Sequence, residues 1–390
     1  MVISLYFKNG MDIVKKISLM LLAVLSVEAE NLSDKLKVEG YLRGSYQLHS
    51  VKDDRIYRDD AIGGKLHFET ASVEGVSLGA SLYSSNALFH DDNKGLVPLR
   101  GENHKSYTIL GEAYMQLSVG QSMFKVGRQE IETPFAQVDD IGMIPNTFES
   151  AIFENRDIDD TTIFLGQIQR MAGVDAQLVD EFTNVNGSNH MQVLGVSYEG
   201  VKDLALSAWY YNLKDAQIDS IAYVEANYEK GLGAMSYGVG LQYAKESYLN
   251  EADAKVYSGA LSATANEVGL TLTTAYSKAK DNSASSGFGG GPFFSNSEYL
   301  ILDNAGKDGT ALLYSAEYDA SKVGIDGLSV GLEYVTLTNE AKEEATEADL
   351  VLSYEVSDAF EVHAIASNLK GHNVGEDDAK HLRVFANYNF

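Results

Sequence analysis

Lys37-Val-Glu-Gly-Tyr-Leu-Arg-Gly-Ser-Tyr-Gln-Leu48 is the stretch that decides the fold. Val38, Leu42, Tyr46 and Leu48 fall on one face, and Lys37, Glu39, Arg43 and Gln47 on the other. Successive Cβ atoms of a strand point to opposite sides, so this alternation marks a strand with one apolar and one polar face. It returns at 106–119, where Tyr107, Ile109, Ala113, Met115 and Leu117 oppose Thr108, Glu112, Gln116 and Ser118. At 328–336, Leu328, Val330, Leu332 and Tyr334 oppose Ser329 and Glu333. At 381–390, Leu382, Val384, Ala386, Tyr388 and Phe390 oppose His381, Arg383, Asn387 and Asn389.

Further strands are expected near 61–71, 76–85, 121–128, 160–170, 190–199, 203–213, 217–228, 233–244, 254–264, 266–277, 309–318, 347–355 and 359–368. The gaps alternate between short (119–120, 200–202, 229–232, 356–358) and long (86–105, 129–158, 278–308, 369–379). Short turns at one end and long loops at the other are the pattern of an outer-membrane barrel. For the alternation to continue past 129–158, residues 171–189 must supply one more strand, for which Gly173–Val179 is the weak candidate. The chain therefore reads as all-β, a transmembrane antiparallel up-and-down barrel of 18 strands, with 16 as the alternative, since bacterial single-chain barrels are even-numbered. Pro98, Pro134, Pro145 and Pro292 all fall in the expected long loops, as a closed ladder requires. A soluble exported sandwich is the competing architecture.

Composition agrees. The chain has 390 residues, a formal net charge of −26, 45% apolar residues, 35 Gly, 23 Tyr, 4 Pro and no Cys. A basic face for nucleic acid is excluded, as are disulfides, thiol catalysis and cysteine-ligated metals. Lys15 and Lys16 precede the short apolar run Ile17–Val27, and Val27-Glu28-Ala29 is a small-residue cleavage site. Residues 1–29 thus read as a signal peptide, with Met11 an alternative start, and 30–390 as the barrel. An apolar run of this length falls short of the about 20 residues that a spanning helix needs.

The segments Gly75-Val-Ser77-Leu-Gly79 and Gly327-Leu-Ser329-Val-Gly331 match a nucleophile-elbow pattern. Both serines lie inside alternating strands, without the following helix that such an elbow needs, so no catalytic residue is assigned. The histidines lack metal-ligand spacing, and Asp91-Asp92-Asn93-Lys94-Gly95 lacks the spaced ligands of a calcium loop; no metal or cofactor is expected. The 129–158 segment is different. It is far longer than an ordinary connection, and it mixes the anchors Phe135, Ile141, Met143, Ile144, Phe148, Ile152 and Phe153 with acids. It is expected to fold inward and narrow a lumen that a barrel of this size would otherwise leave open.

Val126-Gly-Arg-Gln129, Thr133-Pro134, Asp139-Asp140 and Ile144-Pro145-Asn146-Thr147-Phe148-Glu149 resemble the third-loop region of the OprD-like specific-channel porins. Leu110-Gly-Glu-Ala-Tyr114 looks like that family too, and the glycine-rich 287–308 stretch is similar to loops of major outer-membrane porins from epsilon-type proteobacteria. The likeness extends over 30–390 and is sharp over 110–166. It implies an 18-stranded barrel in the bacterial outer membrane and passive uptake of small nutrients, often amino acids or carboxylates. This chain departs from the pattern at Gly142, where many members carry an Arg three residues before the proline.

The expected function is a water-filled porin for ions and small hydrophilic nutrients, with a structural or adhesive barrel, or a barrel esterase, as alternatives. Expected constriction and lumen residues are Asp139, Asp140, Phe148, Glu149, Glu39, Arg43, Glu112, Lys125, Glu333 and Arg383. Tyr388 and Phe390 are the expected signal to the barrel-assembly machinery. Expected partners are outer-membrane lipid and small solutes, with monomer and homotrimer both open. Residues 129–160 hold nine acids against the single base Arg156, which leans the expected selectivity toward cations.

Overall fold

The computed structural model describes residues 36–52, 56–92, 96–187, 189–214, 216–371 and 378–390. The signal-peptide reading of 1–29, and the choice between Met1 and Met11, lie outside them. Nineteen strands follow in order: β1 (Leu36–Val51), β2 (Ile56–Thr70), β3 (Val76–Asp91), β4 (Tyr107–Val119), β5 (Ser122–Gln129), β6 (Thr147–Asn155), β7 (Thr161–Ala172), β8 (Thr183–Asn184), β9 (Met191–Val201) and β10 (Leu204–Asn212), then β11 (Ile218–Leu232), β12 (Met235–Tyr248), β13 (Ala254–Ala265), β14 (Leu270–Lys280), β15 (Thr310–Asp319), β16 (Leu328–Thr338), β17 (Glu344–Ser357), β18 (Phe360–Lys370) and β19 (Ala379–Asn389). Apart from β8, every strand pairs antiparallel with the next in the chain, and β1 pairs with both β2 and β19, so the sheet closes. The two-residue β8 is an extra strand beside β7, and β7 pairs onward with β9. The barrel proper therefore has 18 strands.

The four prolines lie outside the strands, and Ser77 and Ser329 lie inside β3 and β16, as read. The seam strands keep the expected phase. On β1, Arg43, Ser45, Gln47 and His49 are buried inward while Leu42 is 57% exposed on the outer face. On β19, His381, Arg383, Phe385 and Asn387 face inward, and Tyr388 and Phe390 outward.

Three readings are corrected. The eighteenth strand is β6, not Gly173–Val179, which lies in the loop after β7; the long connection after β5 thus spans 130–146 and not 129–158. The cause is an inverted face: Phe148 and Ile152 are buried inward, beneath the loop, while Glu149 faces out, so β6 lacks the usual apolar-out pattern. On β4, Tyr107 and Ile109 point inward and not to the lipid face. The register with β3 shifts at Gly111, with Ser81 opposite Glu112 but Leu82 opposite Leu110, and one extra residue reverses every side chain before it. On β7, Gln169 is a second extra residue, between Ile168 and Arg170. Lastly, Asp157, Asp159 and Asp160 occupy the short turn between β6 and β7, at the opposite end of the barrel from the 130–146 loop.

The lumen is partly filled. The loops 130–146 and 281–309 fold against inward side chains and share a buried apolar cluster that includes Phe135, Phe148, Ile168, Tyr211, Phe293 and Leu300. Phe135 is fully buried, edge-on to Tyr211 at 5.5 Å, Tyr223 at 5.6 Å and Phe293 at 6.0 Å between ring centroids. The two loops are stitched by backbone bonds from Gln137 N to Phe288 O (3.2 Å) and Phe288 N to Phe135 O (2.8 Å). Glycine is required at this contact. A Cβ on Gly289 (φ +132°) would meet Gln137 O at 2.7 Å, and one on Gly287 (φ +74°) would meet Phe135 O at the same distance.

Candidate channel constriction

Two bases of the seam strands hold the two loops. Arg43 on β1 donates from Nη1 to Asp140 Oδ1 (2.6 Å) and from Nη2 to Asp140 Oδ2 (2.7 Å). Its Nη1 also reaches Gly142 O (2.9 Å), and its Nε reaches Asn387 Oδ1 on β19 (2.8 Å). This paired, two-point geometry is what a planar guanidinium makes with a carboxylate. Arg43 also lies over the Phe385 ring at 5.0 Å. Four residues along β19 from Asn387, Arg383 pairs with Glu298 of the second loop at 2.5 Å. Arg43, Asp140, Glu361, His363, Arg383 and Asn387 line a cavity of about 280 Å³ between loop and wall.

Asn146 holds the far end of the first loop. Its Nδ2 donates to Gln137 O (3.1 Å) and to Asp175 Oδ2 (2.6 Å), and its backbone N donates to Val138 O (2.6 Å). Asp139, between these anchors, has φ +35°. Burial and the adjacent carboxylate of Asp175 push its acid up to about 7. Glu298 is also raised by burial, against the pull of Arg383, and Glu132 is raised by burial and by Glu130. Gly142, where many of the resembling porins carry Arg, packs under Val174: a Cβ would meet Val174 Cγ1 at 2.5 Å, so a side chain there would displace that valine.

A second polar cluster lies along β2–β5. Lys65 Nζ pairs with Glu130 (2.9 Å) and Glu112 (3.0 Å), and Tyr83 Oη donates to Glu130 (2.8 Å). Ser81 Oγ donates to Glu112 Oε2 (2.5 Å) and lies 2.7 Å from His67 Nδ1. Lys125 sits over the Tyr114 ring at 3.8 Å.

The expected residues therefore separate. Asp139, Asp140, Arg43 and Arg383 come together at the loop contacts. Glu112 and Lys125 belong to the β2–β5 cluster, Glu333 faces inward on β16, and Glu39 is paired with Lys37 (2.7 Å) near the start of β1. Phe148 is fully buried beneath the loop and lines no open space. Glu149 is not in the lumen at all: it faces outward and shares its carboxylate with Arg170 and, at 3.8 Å, Arg128. Asn146, Asp175, Glu298 and Asn387 escaped the sequence reading, because their roles depend on which loop reaches which strand. The long gap 278–308, with Pro292 and its glycine-rich run, marked the second loop but not what it touches.

The profile of the family described as outer membrane porin, OprD family, matches residues 75–390. The chain belongs to the OprD family of outer-membrane porins. It is thus a passive channel of the bacterial outer membrane, and this family is one of porins and not of enzymes. Solved structures agree in fold. OpdK of Pseudomonas aeruginosa, solved with vanillate, superimposes with a TM-score of 0.78 at 18% identity, covering 92% of this chain and 99% of that one. A BenF-like porin from Pseudomonas fluorescens gives 0.78 at 18% identity over 91% and 98%. OpdQ of Pseudomonas aeruginosa gives 0.76 at 17% identity over 93% and 99%. No curated protein matches this chain.

Proposed function

We propose that this OprD-family porin favours small cations and zwitterions over anions. The observation that carries the reading is the pairing of three lumen bases: Arg43 with Asp140, Arg383 with Glu298, and Lys65 with Glu112 and Glu130; Lys125, over the Tyr114 ring, makes no ion pair among the described residues. A base held by a carboxylate offers little net positive field to a passing anion, whereas Glu132, Glu225 and Glu333 face inward without an ion pair among the described residues. Carboxylates along a narrow, low-dielectric-walled pore concentrate cations. The lining of the Arg43–Arg383 cavity is mixed, with Glu361 and Asp140 beside the two guanidiniums, which suits a zwitterion. OpdK was solved with vanillate, a carboxylate; the paired bases argue against carrying that preference over to this chain.

Catalysis is not part of the reading. The Ser81, His67 and Glu112 arrangement looks like a triad, but Ser81 is fully buried and gives its proton to Glu112. It serves as wall.

Reversal potentials across a KCl gradient test the selectivity. Cation preference is expected at about 0.1 M salt and should fade toward 1 M, where the Debye length falls to about 3 Å. Anion selectivity at low salt would overturn the reading.

A further inference from the structure

The outer face of β12–β14 carries a pattern that conduction does not use. Lys245, Lys255 and Lys280 are lateral neighbours in the register, and Lys278 stands beside Tyr257 one row below. All four share the outward parity of Leu241, Tyr257 and Tyr276, which are about half exposed, whereas the alternate residues Val256, Ser258, Ser277 and Ala279 are buried inward. They stand at the long-loop ends of their strands, which face the cell exterior. Two of them are balanced: Lys245 pairs with Asp253 (2.9 Å) and Lys255 with Asp281 (2.7 Å). Lys278 and Lys280 make no ion pair among the described residues.

Beneath the lysines lies a row of tyrosines, with Tyr243 and Tyr257 in contact at 5.2 Å between centroids. One snorkelling lysine above a tyrosine is ordinary interfacial anchoring. Two unpaired lysines flanked by two paired ones on three adjacent strands, in a chain with 30 bases against 56 acids, are more than anchoring needs. Below the lysine and tyrosine rows the same face is apolar, with Leu241, Leu261 and Tyr276 about half exposed.

We propose that this face binds a phosphorylated, multiply acylated glycolipid of the outer leaflet. Its phosphates would sit on Lys278, Lys280 and the flanking lysines, with its acyl chains against the apolar face below. The charge is complementary to phosphate, and the tyrosine row marks the depth of the headgroups.

The test uses the folded porin in detergent micelles, with native mass spectrometry counting bound lipid. The probes are bis-phosphorylated lipid A, its dephosphorylated form and phosphatidylglycerol. The parent should bind the bis-phosphorylated lipid at least tenfold more tightly than the dephosphorylated one. Replacing Lys245, Lys255, Lys278 and Lys280 together by Gln should abolish that difference and leave single-channel conductance unchanged. If this variant fails to fold, Lys278→Gln with Lys280→Gln, which leaves both ion pairs intact, should still narrow the difference severalfold. Equal binding of the two lipid A forms by the parent would overturn the proposal. So would an undiminished preference in the double variant, or loss of self-association with lipid binding unchanged, which would make the face a contact between copies.

Discussion

Asp139 is the residue whose charge should be most sensitive to the medium. Its acid is pushed up to about 7 from an ordinary 3.8, so the folded loop holds a proton that the unfolded chain would release. The ionised form is the disfavoured one. Its contribution to loop stability is therefore fully present below about pH 4 and is lost as pH rises through about 7. Channel charge follows the same direction: cation preference should rise with pH as the Asp139–Asp175 pair gives up its proton. Asp139→Asn should flatten this profile, and a variant whose reversal potential still titrates near neutrality would place the titrating group elsewhere. At this scale the sequence was half legible. Arg43, Asp140 and Arg383 follow from strand phase and loop composition, but Glu149 was misassigned because it belongs to a strand hidden inside an expected loop.

Among the elements, the legible ones were those whose outer face is apolar and whose inner face is polar. That contrast holds on β1, β16 and β19, and there the reading of both faces stands. Membrane barrels supply it only where the lumen is wet. Under the two loops the lumen is packed, so β6 buries Phe148 and Ile152 inward, and β4 does the same with Tyr107 and Ile109; period two persists while its polarity inverts. The extra residues Gly111 and Gln169 then shift the phase within single strands, which no window average detects. Two experiments address elements directly. Leu332→Arg should cost folding in vesicles about 2–4 kcal/mol, while the adjacent inward Glu333→Gln should leave it within error; equal folding of the two would refute the assigned phase. Gly289→Val should force the two loops apart, because its side chain would enter the space held by Gln137 O. Larger and noisier single-channel conductance is expected, and unaltered traces would mean that the loop contact does not limit flow.

For the whole molecule, closure depends on β19, which pairs with both β18 and β1. Phe390 extends this strand by a mutual backbone pair with Gly40 (3.0 Å each way), and its ring lies against Gly40 on the outer face. Deleting Phe390 should lower the amount of barrel inserted in cells without changing the conductance of molecules that do insert. Normal insertion would remove the assembly role assigned to Tyr388 and Phe390. Barrel class and strand number were legible because they rest on summed periodicity and on the alternation of loop lengths. The loop-to-wall contacts were not, since they join residues as distant as Arg43 and Asp140.

The seam has a consequence for how the pore is narrowed. Arg43 donates one hydrogen bond to β19 and three to the first loop, and Arg383 on β19 secures the second loop. Both latches sit on the two strands that form the seam. In an open sheet Arg43 would lack Asn387 at its Nε, and the strands that carry the two latched loops would not be held side by side. Ring closure thus sets the two loops against each other, and a barrel with an open seam would be a wide leak rather than a selective pore.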